Sequence, residues 1–291
     1  MNSPATLREL LAKGPLIAPG AYDALTARIA VQAGAKAVYM TGFGVAGSLL
    51  GVPDIGIVSA TEMADRVRAL AAAAAPVLLI ADGDNGHGGI ANVERLVRAY
   101  EQAGAACIQL EDQVLPKRCG HMDGKEVVPM EEGAAKIKAA VHTRDSRDFL
   151  IIARTDARSV NGLDDALRRA EAYHEAGADL LFIEAPQSET ELRAIAKRFQ
   201  GIPLVANMVE DGKTPILSAA DLGALGCRLI LFPISSLLAT TRTAQRVYTN
   251  LLAFGRPDPA IERVTFAAYN EIVGLNAHLK LSEEGEPMRP A

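Results

Sequence analysis

Eight short apolar runs recur along this chain of 291 residues, and segments with helical periodicity separate them. In the separating segments, such as residues 91–104 and 163–177, apolar side chains return every three to four positions, as on one face of an amphipathic helix. The predicted strands are residues 16–20, 37–42, 77–83, 107–112, 150–156, 180–185, 204–209 and 229–235. This alternation of strand and helix predicts an α/β protein with a parallel sheet.

Four predicted helices end on a glycine that lies just before the next strand. These glycines are Gly34, Gly104, Gly177 and Gly226. A glycine can take the left-handed conformation that ends a helix, which indicates one strand–helix unit repeated along the chain. Eight units predict a single-domain (β/α)8 barrel, and an open doubly wound sheet is the alternative. We expect the barrel to occupy residues 1–255 and C-terminal helices with a charged tail to occupy residues 256–291.

The composition indicates an aliphatic core and argues against several classes of partner. Hydrophobic residues make up 49% of the chain but aromatic residues only 4%, and the formal net charge is −5. Without a basic face, neither nucleic acid nor an anionic membrane is an expected partner. The N-terminal segment has no apolar core of signal-peptide length, and no run reaches the length of a membrane span. The three cysteines, an odd number without framework spacing, favour a reducing, cytoplasmic location.

Polar side chains stand where most of the predicted strands end. In a (β/α)8 barrel the carboxyl ends of the strands meet on one rim, where the active site lies. Each residue alone could cap the helix that follows it, but so many on one rim predict a functional site. The positions are Thr41, Asp82, Asp84, Glu111, Asp112, Arg154, Asp156, Glu184, Asn207 and Ser235.

The segment ADGDNGHGG follows the third strand and predicts a metal site. Asp82 and Asp84 are two residues apart, so in an extended chain both carboxylates point the same way. Two close carboxylates repel each other unless a cation lies between them, and oxygen ligands suit Mg²⁺ or Mn²⁺. Glu111 could join directly or through water. The alternatives are an Asp-rich turn that caps the next helix and a calcium loop, which lacks its remaining ligands.

The segment PKRCGHMDGK, residues 116–125, follows the fourth strand as a long polar loop. Cationic neighbours such as Lys117 and Arg118 would lower the pKa of the Cys119 thiol, and His121 could share its proton. Cys119 is therefore predicted to be a nucleophile or an acid/base, on a glycine-containing loop that can close as a lid. The alternatives are a zinc site, which lacks a second ligand pair, and an exposed loop with an incidental cysteine. The other two cysteines begin apolar strands and are predicted to be core residues.

From about residue 16 to residue 255, the sequence resembles the isocitrate lyase/phosphoenolpyruvate mutase superfamily, and within it the short-chain lyases that act on 2-methylisocitrate and 2,3-dimethylmalate. The segments that carry the resemblance are LEDQVLPKRCGHMDGK, IIARTDA, FIEAP, ANMVEDGKTP and SLLGVPDIG. The Lys-Arg-Cys-Gly-His run is similar to the lyase branch rather than to the phosphonomutases. The resemblance implies a (β/α)8 barrel, a homotetramer, and a C-terminal helix that swaps onto a neighbouring subunit.

The resemblance also implies roles for individual residues. Asp82 and Asp84 would hold Mg²⁺, with Glu111 helping through water. The residues implied in substrate binding are Thr41, Gly42, Phe43, Lys117, Gly120, Asn207 and Leu238. The residues implied in catalysis are Tyr39, Asp54, Cys119, His121, Arg154 and Glu184. The implied reaction is Mg²⁺-dependent cleavage of the C2–C3 bond of a 2-hydroxy carboxylate, in which Cys119 protonates the carbanion.

Two departures from the family pattern bear on the substrate. Leu238 stands where methylisocitrate lyases have an arginine for the third carboxylate, and Phe43 stands where they have a glycine. Both changes favour a smaller dicarboxylate of the 2,3-dimethylmalate type, because an unpaired buried carboxylate costs several kcal/mol. The alternatives are a 2-methylisocitrate lyase, an oxaloacetate decarboxylase, a phosphonomutase and a metal-binding barrel without turnover. Asp211, where relatives often have glycine, has no explanation from the sequence.

Overall fold

The computed structural model describes residues 6–285, and a closed barrel of eight parallel strands forms its centre. Each strand pairs with the next, and the eighth pairs with the first. The strands are β1 Leu16–Ala21, β2 Ala37–Met40, β3 Leu78–Asp82, β4 Cys107–Glu111, β5 Leu150–Thr155, β6 Leu180–Ile183, β7 Leu204–Asn207 and β8 Cys227–Phe232. The predicted (β/α)8 class is confirmed, and the open sheet is excluded because the barrel closes.

Helices connect the strands around the outside of the barrel. The helices are α1 Leu7–Lys13, α2 Ala24–Gln32, α3 Gly42–Val45, α4 Ala60–Ala74, α5 Ile90–Gln102, α6 Met130–Thr143, α7 Ala157–Val160, α8 Leu163–Glu175, α9 Glu189–Arg198, α10 Ala219–Ala224, α11 Ser235–Phe254, α12 Phe266–Ile272 and α13 Leu275–Gly285. Residues Ala46–Leu50 form a short π-helix. Within residues 6–285, no helix is long and apolar enough to cross a membrane.

The glycines predicted to end four helices have the expected backbone. Gly34, Gly104, Gly177 and Gly226 have φ angles of +93°, +94°, +102° and +94°, which suit glycine far better than other residues. The predicted and observed strands differ most at β8, which runs over Cys227–Phe232 rather than 229–235. The strand ends there because Pro233 follows and has no N–H for a strand hydrogen bond.

Side chains fill the barrel from its amino-terminal end. Inward-facing residues of the strands, including the buried Cys107 and Phe182, form one apolar cluster. Leu7 and Leu11 of α1 belong to the same cluster, so this helix covers the amino-terminal end of the barrel. Thr6 and Glu9 form a capping box that starts the helix, since each side chain bonds the other's main-chain N–H. The barrel interior is therefore open only towards the carboxyl ends of the strands.

The chain divides into two compact units, of which the first ends at Leu237 and the second begins at Leu238. This boundary falls inside α11. The domain boundary predicted from the sequence lies at residue 255, directly after α11 ends. Several large apolar side chains of the second unit are exposed, among them Leu252 (89%) and Phe266 (84%). The charged tail predicted at the end of the segment 256–291 lies partly outside the described residues, and α13 continues to Gly285.

Candidate active site

Six of the ten polar residues at the strand ends line one cavity of about 230 Å³ at the carboxyl end of the barrel: Thr41, Asp82, Glu111, Arg154, Glu184 and Asn207. Side chains alternate between the two faces of a strand, so a residue two positions after an inward-facing one also faces inward. Phe182 on β6 and Glu184, directly after the end of this strand, show this phase. The residues of the predicted site that line the cavity are Tyr39, Thr41, Phe43, Asp54, Asp82, Glu111, Lys117, Cys119, Gly120, His121, Arg154, Glu184 and Asn207.

Three residues of the predicted site do not line the cavity directly. Gly42 lies at its edge and donates its main-chain N–H to Asp82 Oδ2 at 3.2 Å. Asp84 is buried beside Asp82, whose Oδ1 accepts the N–H of Asp84 at 3.1 Å. Leu238 begins the second unit, in the first turn of α11, and is 42% exposed. The structure thus brings nearly all of the predicted residues to one place.

Buried carboxyl groups crowd the floor of the cavity. Burial and the neighbouring carboxylate of Asp84 raise the pKa of Asp82 to about 6. Burial also raises the pKa of Glu111, although the Arg154 guanidinium acts against this shift. Asp84 has a left-handed φ of +47°, which is a strained conformation for a residue other than glycine. Crowded acids held in a strained loop indicate a site that binds a cation.

Lys117 supplies one such cation from the loop. Its buried ammonium contacts Asp54 and lies 2.6 Å from Asp84 Oδ1. Its pKa is raised well above the usual range, because the carboxylates of Asp84 and Asp54 outweigh the opposing effect of burial. Lys117 therefore balances the charge of the acids at the cavity floor rather than that of the nearby thiol.

The acids of the cavity floor have the donor chemistry for a hard divalent cation. Asp82, Asp84 and Glu111 offer the carboxylate oxygens that Mg²⁺ and Mn²⁺ prefer, and Glu111 Oε1 is buried without a hydrogen-bond partner. Among residues 6–285, no group of three or more His, Cys, Asp or Glu side chains is arranged to hold a metal ion. The alternative zinc site is therefore not formed either. The donors of these acids suit Mg²⁺ in their chemistry, but they do not converge as a group of three, and the Lys117 ammonium contacts Asp84.

The Cys119 thiol differs from the sequence expectation. Burial raises its pKa to about 11, so the predicted lowering by cationic neighbours is wrong. The physical reason is that the two cations point elsewhere: Lys117 towards the acids, and Arg118 towards the carbonyl of Asp123. The main-chain N–H of Cys119 donates to the carbonyl of Asp54 at 3.1 Å. A thiol that keeps its proton at neutral pH suits a proton donor better than a nucleophile.

His121 connects the loop to the opposite side of the cavity. Its Nδ1 accepts the main-chain N–H of Lys213 at 3.0 Å, and its Nε2 lies 3.1 Å from Glu184 Oε1. A Cβ atom on Gly212 would lie 2.7 Å from Nδ1, so a glycine is needed for this close approach. Burial would raise the pKa of Glu184, but the Arg154 guanidinium and His121 lower it below its ordinary value.

Arg154 is held from the side by Asp156. The Nε and Nη2 atoms of Arg154 donate to the two carboxylate oxygens of Asp156 at 2.9 and 3.1 Å. The same guanidinium lies 3.3 Å from Glu111 Oε2 and 3.6 Å from Glu184 Oε2. Asp156 was noted at a strand end but not assigned to the site. The alternation of side chains along the strand could have placed Asp156 at the site, because Asp156 follows Arg154 by two positions.

Asp112 stands at a strand end but faces the helices outside the barrel. Its carboxylate accepts hydrogen bonds from the hydroxyls of Thr155 at 2.7 Å and Tyr173 at 2.8 Å, and from the N–H of Asp156 at 2.9 Å. The neighbouring Glu111 faces inward, so the alternation separates the two acids. Asp112 therefore supports the site from behind and lies outside the cavity.

Comparison with known proteins identifies close relatives. A family model described as phosphoenolpyruvate phosphomutase matches residues 7–252. A 2,3-dimethylmalate lyase of Eubacterium barkeri is 49% identical over 277 residues, which cover 94% of this chain and 95% of that protein. A 2-methylisocitrate lyase of Bacillus subtilis (strain 168) is 44% identical over 230 residues, which cover 79% of this chain and 75% of that protein.

Solved structures agree with these relatives. The crystal structure of a 2,3-dimethylmalate lyase, described as a PEP mutase/isocitrate lyase superfamily member, has a TM-score of 0.91 and 35% identity, and covers 96% of this chain and 93% of its own. A phosphonopyruvate hydrolase in complex with oxalate and Mg²⁺ has a TM-score of 0.84 and 32% identity, with coverage of 96% and 97%. Together with the barrel and its acidic cavity, these matches show that the chain is a carbon–carbon lyase of the isocitrate lyase/PEP mutase superfamily.

Proposed function

We propose that this enzyme cleaves the C2–C3 bond of a 2-hydroxy dicarboxylate of the 2,3-dimethylmalate type, with Mg²⁺ or Mn²⁺ as cofactor. The observation that carries the proposal is a half-buried Cys119 thiol of raised pKa, which lines a cavity whose floor is acidic. Cleavage would give pyruvate, with C2 as its carbonyl carbon. The carbanion left at C3 would take up one proton and give propionate.

The metal ion would be held by Asp82 and Asp84, with Glu111 beyond them, and would lower the pKa of the substrate hydroxyl and neutralise charge on its carboxylate. The phosphonopyruvate hydrolase of similar fold, solved with Mg²⁺, supports this choice of metal. The residues of the chain can perform the remaining tasks. Arg154 offers a guanidinium for substrate oxygens, and Thr41 and Asn207 offer neutral donors to the same cavity.

Proton transfer is assigned to groups whose protonation states suit it. Glu184 is the ionised base for the C2 hydroxyl proton, since Arg154 and His121 hold its pKa low. Tyr39 stays protonated, because burial raises its pKa well above the usual range, and it can donate to the developing carbonyl oxygen. The Cys119 thiol gives its proton to C3 after the bond breaks. The loop would shield this carbanion from water.

The lining of the cavity supports a dicarboxylate with an alkyl group. Phe43, Met122 and Ile234 contribute apolar surface to the lining, and Glu210 and Asp211 contribute acids. Glu210 Oε1 accepts a hydrogen bond from the Ser235 hydroxyl and its Oε2 is buried without a hydrogen-bond partner, so a third substrate carboxylate there would meet an acid rather than a cation. Burying such a carboxylate without a cation costs several kcal/mol. The relative at 49% identity, a 2,3-dimethylmalate lyase, supports the same substrate.

A second candidate function is 2-methylisocitrate cleavage to pyruvate and succinate, which the relative from Bacillus subtilis favours. The experiment that separates the two candidates is pyruvate release, coupled to lactate dehydrogenase, with each substrate in the presence of Mg²⁺ or EDTA. We expect metal-dependent release from 2,3-dimethylmalate and at least tenfold less from 2-methylisocitrate. The reverse preference would overturn the proposed substrate.

A Cys119→Ser variant tests the role of the thiol. We expect it to lose turnover while Mg²⁺ binding, measured by calorimetry, stays within threefold of the wild type. Full activity of this variant on oxaloacetate would instead indicate a decarboxylase, which does not need the thiol. Rearrangement of phosphonopyruvate, followed by phosphorus NMR, would indicate a phosphonomutase.

We also propose that the protein acts in the cytoplasm as a homotetramer in which a C-terminal helix swaps onto a neighbouring copy. The free cysteines support a reducing compartment. The exposed apolar side chains of the second unit support burial against another copy of the chain, because large exposed apolar patches mark interaction surfaces.

A further inference from the structure

Lys125, near the end of the loop that carries Cys119, buries its charged group. Its side chain is only 1% exposed, and its ammonium contacts the carbonyl of Gly120 and lies 2.8 Å from Asp156 Oδ1. An ammonium that loses its hydration needs a close anion to stay charged, and breaking such a pair costs much more than breaking a surface pair. The contact of Lys125 is therefore an energetically important link between the loop and the barrel.

Asp156 is itself fixed on the barrel. Its main-chain N–H donates to Asp112 Oδ1 at 2.9 Å, and its carboxylate holds Arg154 through two hydrogen bonds. Its Oδ1 atom is shared by Arg154 Nη2 and Lys125 Nζ. One rigid carboxylate therefore binds both the arginine of the cavity wall and the lysine of the loop.

The loop main chain lies directly against the catalytic side chains at Gly120. A Cβ atom added there would lie 2.7 Å from Glu184 Cγ and would also collide with Arg154. Because Lys125 holds the carbonyl of this same glycine, its contact sets the distance between the Cys119–Gly120 segment and the cavity wall. A shift of about 1 Å in this segment would misplace the thiol for proton transfer.

Besides the buried ion pairs of Lys117 and Lys125, the loop has an ion pair that lies at the surface. Lys213 Nζ is 2.6 Å from Asp123 Oδ1, and the Asp123 side chain is 94% exposed. Exposed pairs contribute little to stability, since water and salt screen them. The pairs of Lys125 and Lys213 therefore provide a natural comparison between a buried and an exposed attachment of one loop.

We propose that Lys125 is a positioning residue, which fastens the Cys119–Gly120 segment over the cavity through its shared contacts with Gly120 and Asp156. The proposal rests on the proposed role of Cys119 as the proton donor. Without the lysine, the loop would open and expose the thiol, while the barrel itself would keep its fold.

The test is alkylation of the three cysteines by iodoacetamide, followed for each cysteine peptide by mass spectrometry. In Lys125→Met we expect Cys119 to react at least tenfold faster than in the wild type. Cys107 and Cys227 are buried in the barrel and serve as internal controls for unfolding. Lys138→Met, an exposed lysine on α6, and Lys213→Met are the matched variants, and we expect less than twofold change in either.

An unchanged rate at Cys119, or an equal rise at all three cysteines, would overturn the proposal. The second result would mean that Lys125 stabilises the whole barrel rather than the loop. If the methionine variant does not fold, Lys125→Gln removes the charge and keeps a polar group in place, with the same expected result. The alkylation experiment needs no substrate. It therefore tests the role of Lys125 even if the proposed lyase activity is not found.

Discussion

The imidazole of His121 accepts the main-chain N–H of Lys213 at Nδ1 and presents Nε2 to Glu184 at 3.1 Å. Because Nδ1 is an acceptor, the neutral ring carries its proton on Nε2. Two atoms of one side chain thus connect three segments: the loop after β4, the end of β6 and the loop after β7. His121 thus holds one oxygen of Glu184, and the other oxygen accepts a hydrogen bond from Asn207 Nδ2 at 3.2 Å.

Replacing His121 should separate the functions of its two nitrogens. In His121→Gln the side-chain amide can still donate towards Glu184, whereas His121→Asn keeps a group only near the Nδ1 position. We expect kcat/KM to fall about a hundredfold in the asparagine variant and about tenfold in the glutamine variant, in the range of acid–base networks. Steady-state pyruvate release measures both values. Equal losses would contradict the assignment of Nε2 as the functional atom.

The reactivity of Cys119 should follow its raised pKa. Only the thiolate is alkylated, and burial places the pKa of this thiol at about 11. The rate of reaction with iodoacetamide should therefore rise about tenfold per pH unit between pH 7 and pH 10. Peptide mass spectrometry of the Cys119 peptide provides the measurement, with free cysteine as the reference. A plateau below pH 9 would show that the thiol ionises more readily.

Asp211 combines a negative charge at the cavity with a left-handed φ of +58°. Asp211→Asn removes the charge and tolerates the same backbone, while Asp211→Gly removes both the charge and the strain. Both variants should raise kcat/KM for 2-methylisocitrate relative to 2,3-dimethylmalate by about fivefold, as expected for one partly screened charge.

Stability then distinguishes the two Asp211 variants. Only Asp211→Gly should gain stability, by about 0.5–1 kcal/mol in urea unfolding, because only glycine adopts this backbone without strain. If the asparagine variant gains as much stability as the glycine variant, charge rather than backbone strain is the cause. If neither variant changes the substrate ratio, Asp211 does not contribute to specificity.

The proposed tetramer should depend on the apolar side chains of the second unit. Substituting both Leu252 and Phe266 by serine removes two of the most exposed apolar groups there. We expect the mass measured by light scattering after gel filtration to fall below that of a tetramer. Ile216→Ser, at an exposed isoleucine of the first unit, is the control and should leave the mass unchanged. A tetrameric double variant would exclude this surface from the assembly.

Much of the site could be predicted because strand phase is a local property. Glu111 and Arg154 each follow an inward-facing residue by two positions at a strand end, so the sequence places them in the cavity. The loop of residues 116–125 cannot be predicted in this way, because its side chains contact residues that lie far away in the sequence. Nothing in residues 116–125 tells which cation is buried, so the roles of Lys117 and Lys125 remained hidden. For the same reason the pKa of Cys119 was predicted in the wrong direction.

Helix α1, which Thr6 caps, has a consequence for turnover. Leu7 and Leu11 seal the amino-terminal end of the barrel, so the cavity is a blind pocket with one mouth. Both products must leave through the same opening by which the substrate enters, past the loop that carries Cys119. In the proposed reaction, the fragment nearer the mouth would depart before the keto acid held at the acidic floor. The proposal therefore implies ordered release, in which the last product occupies the place that the next substrate needs.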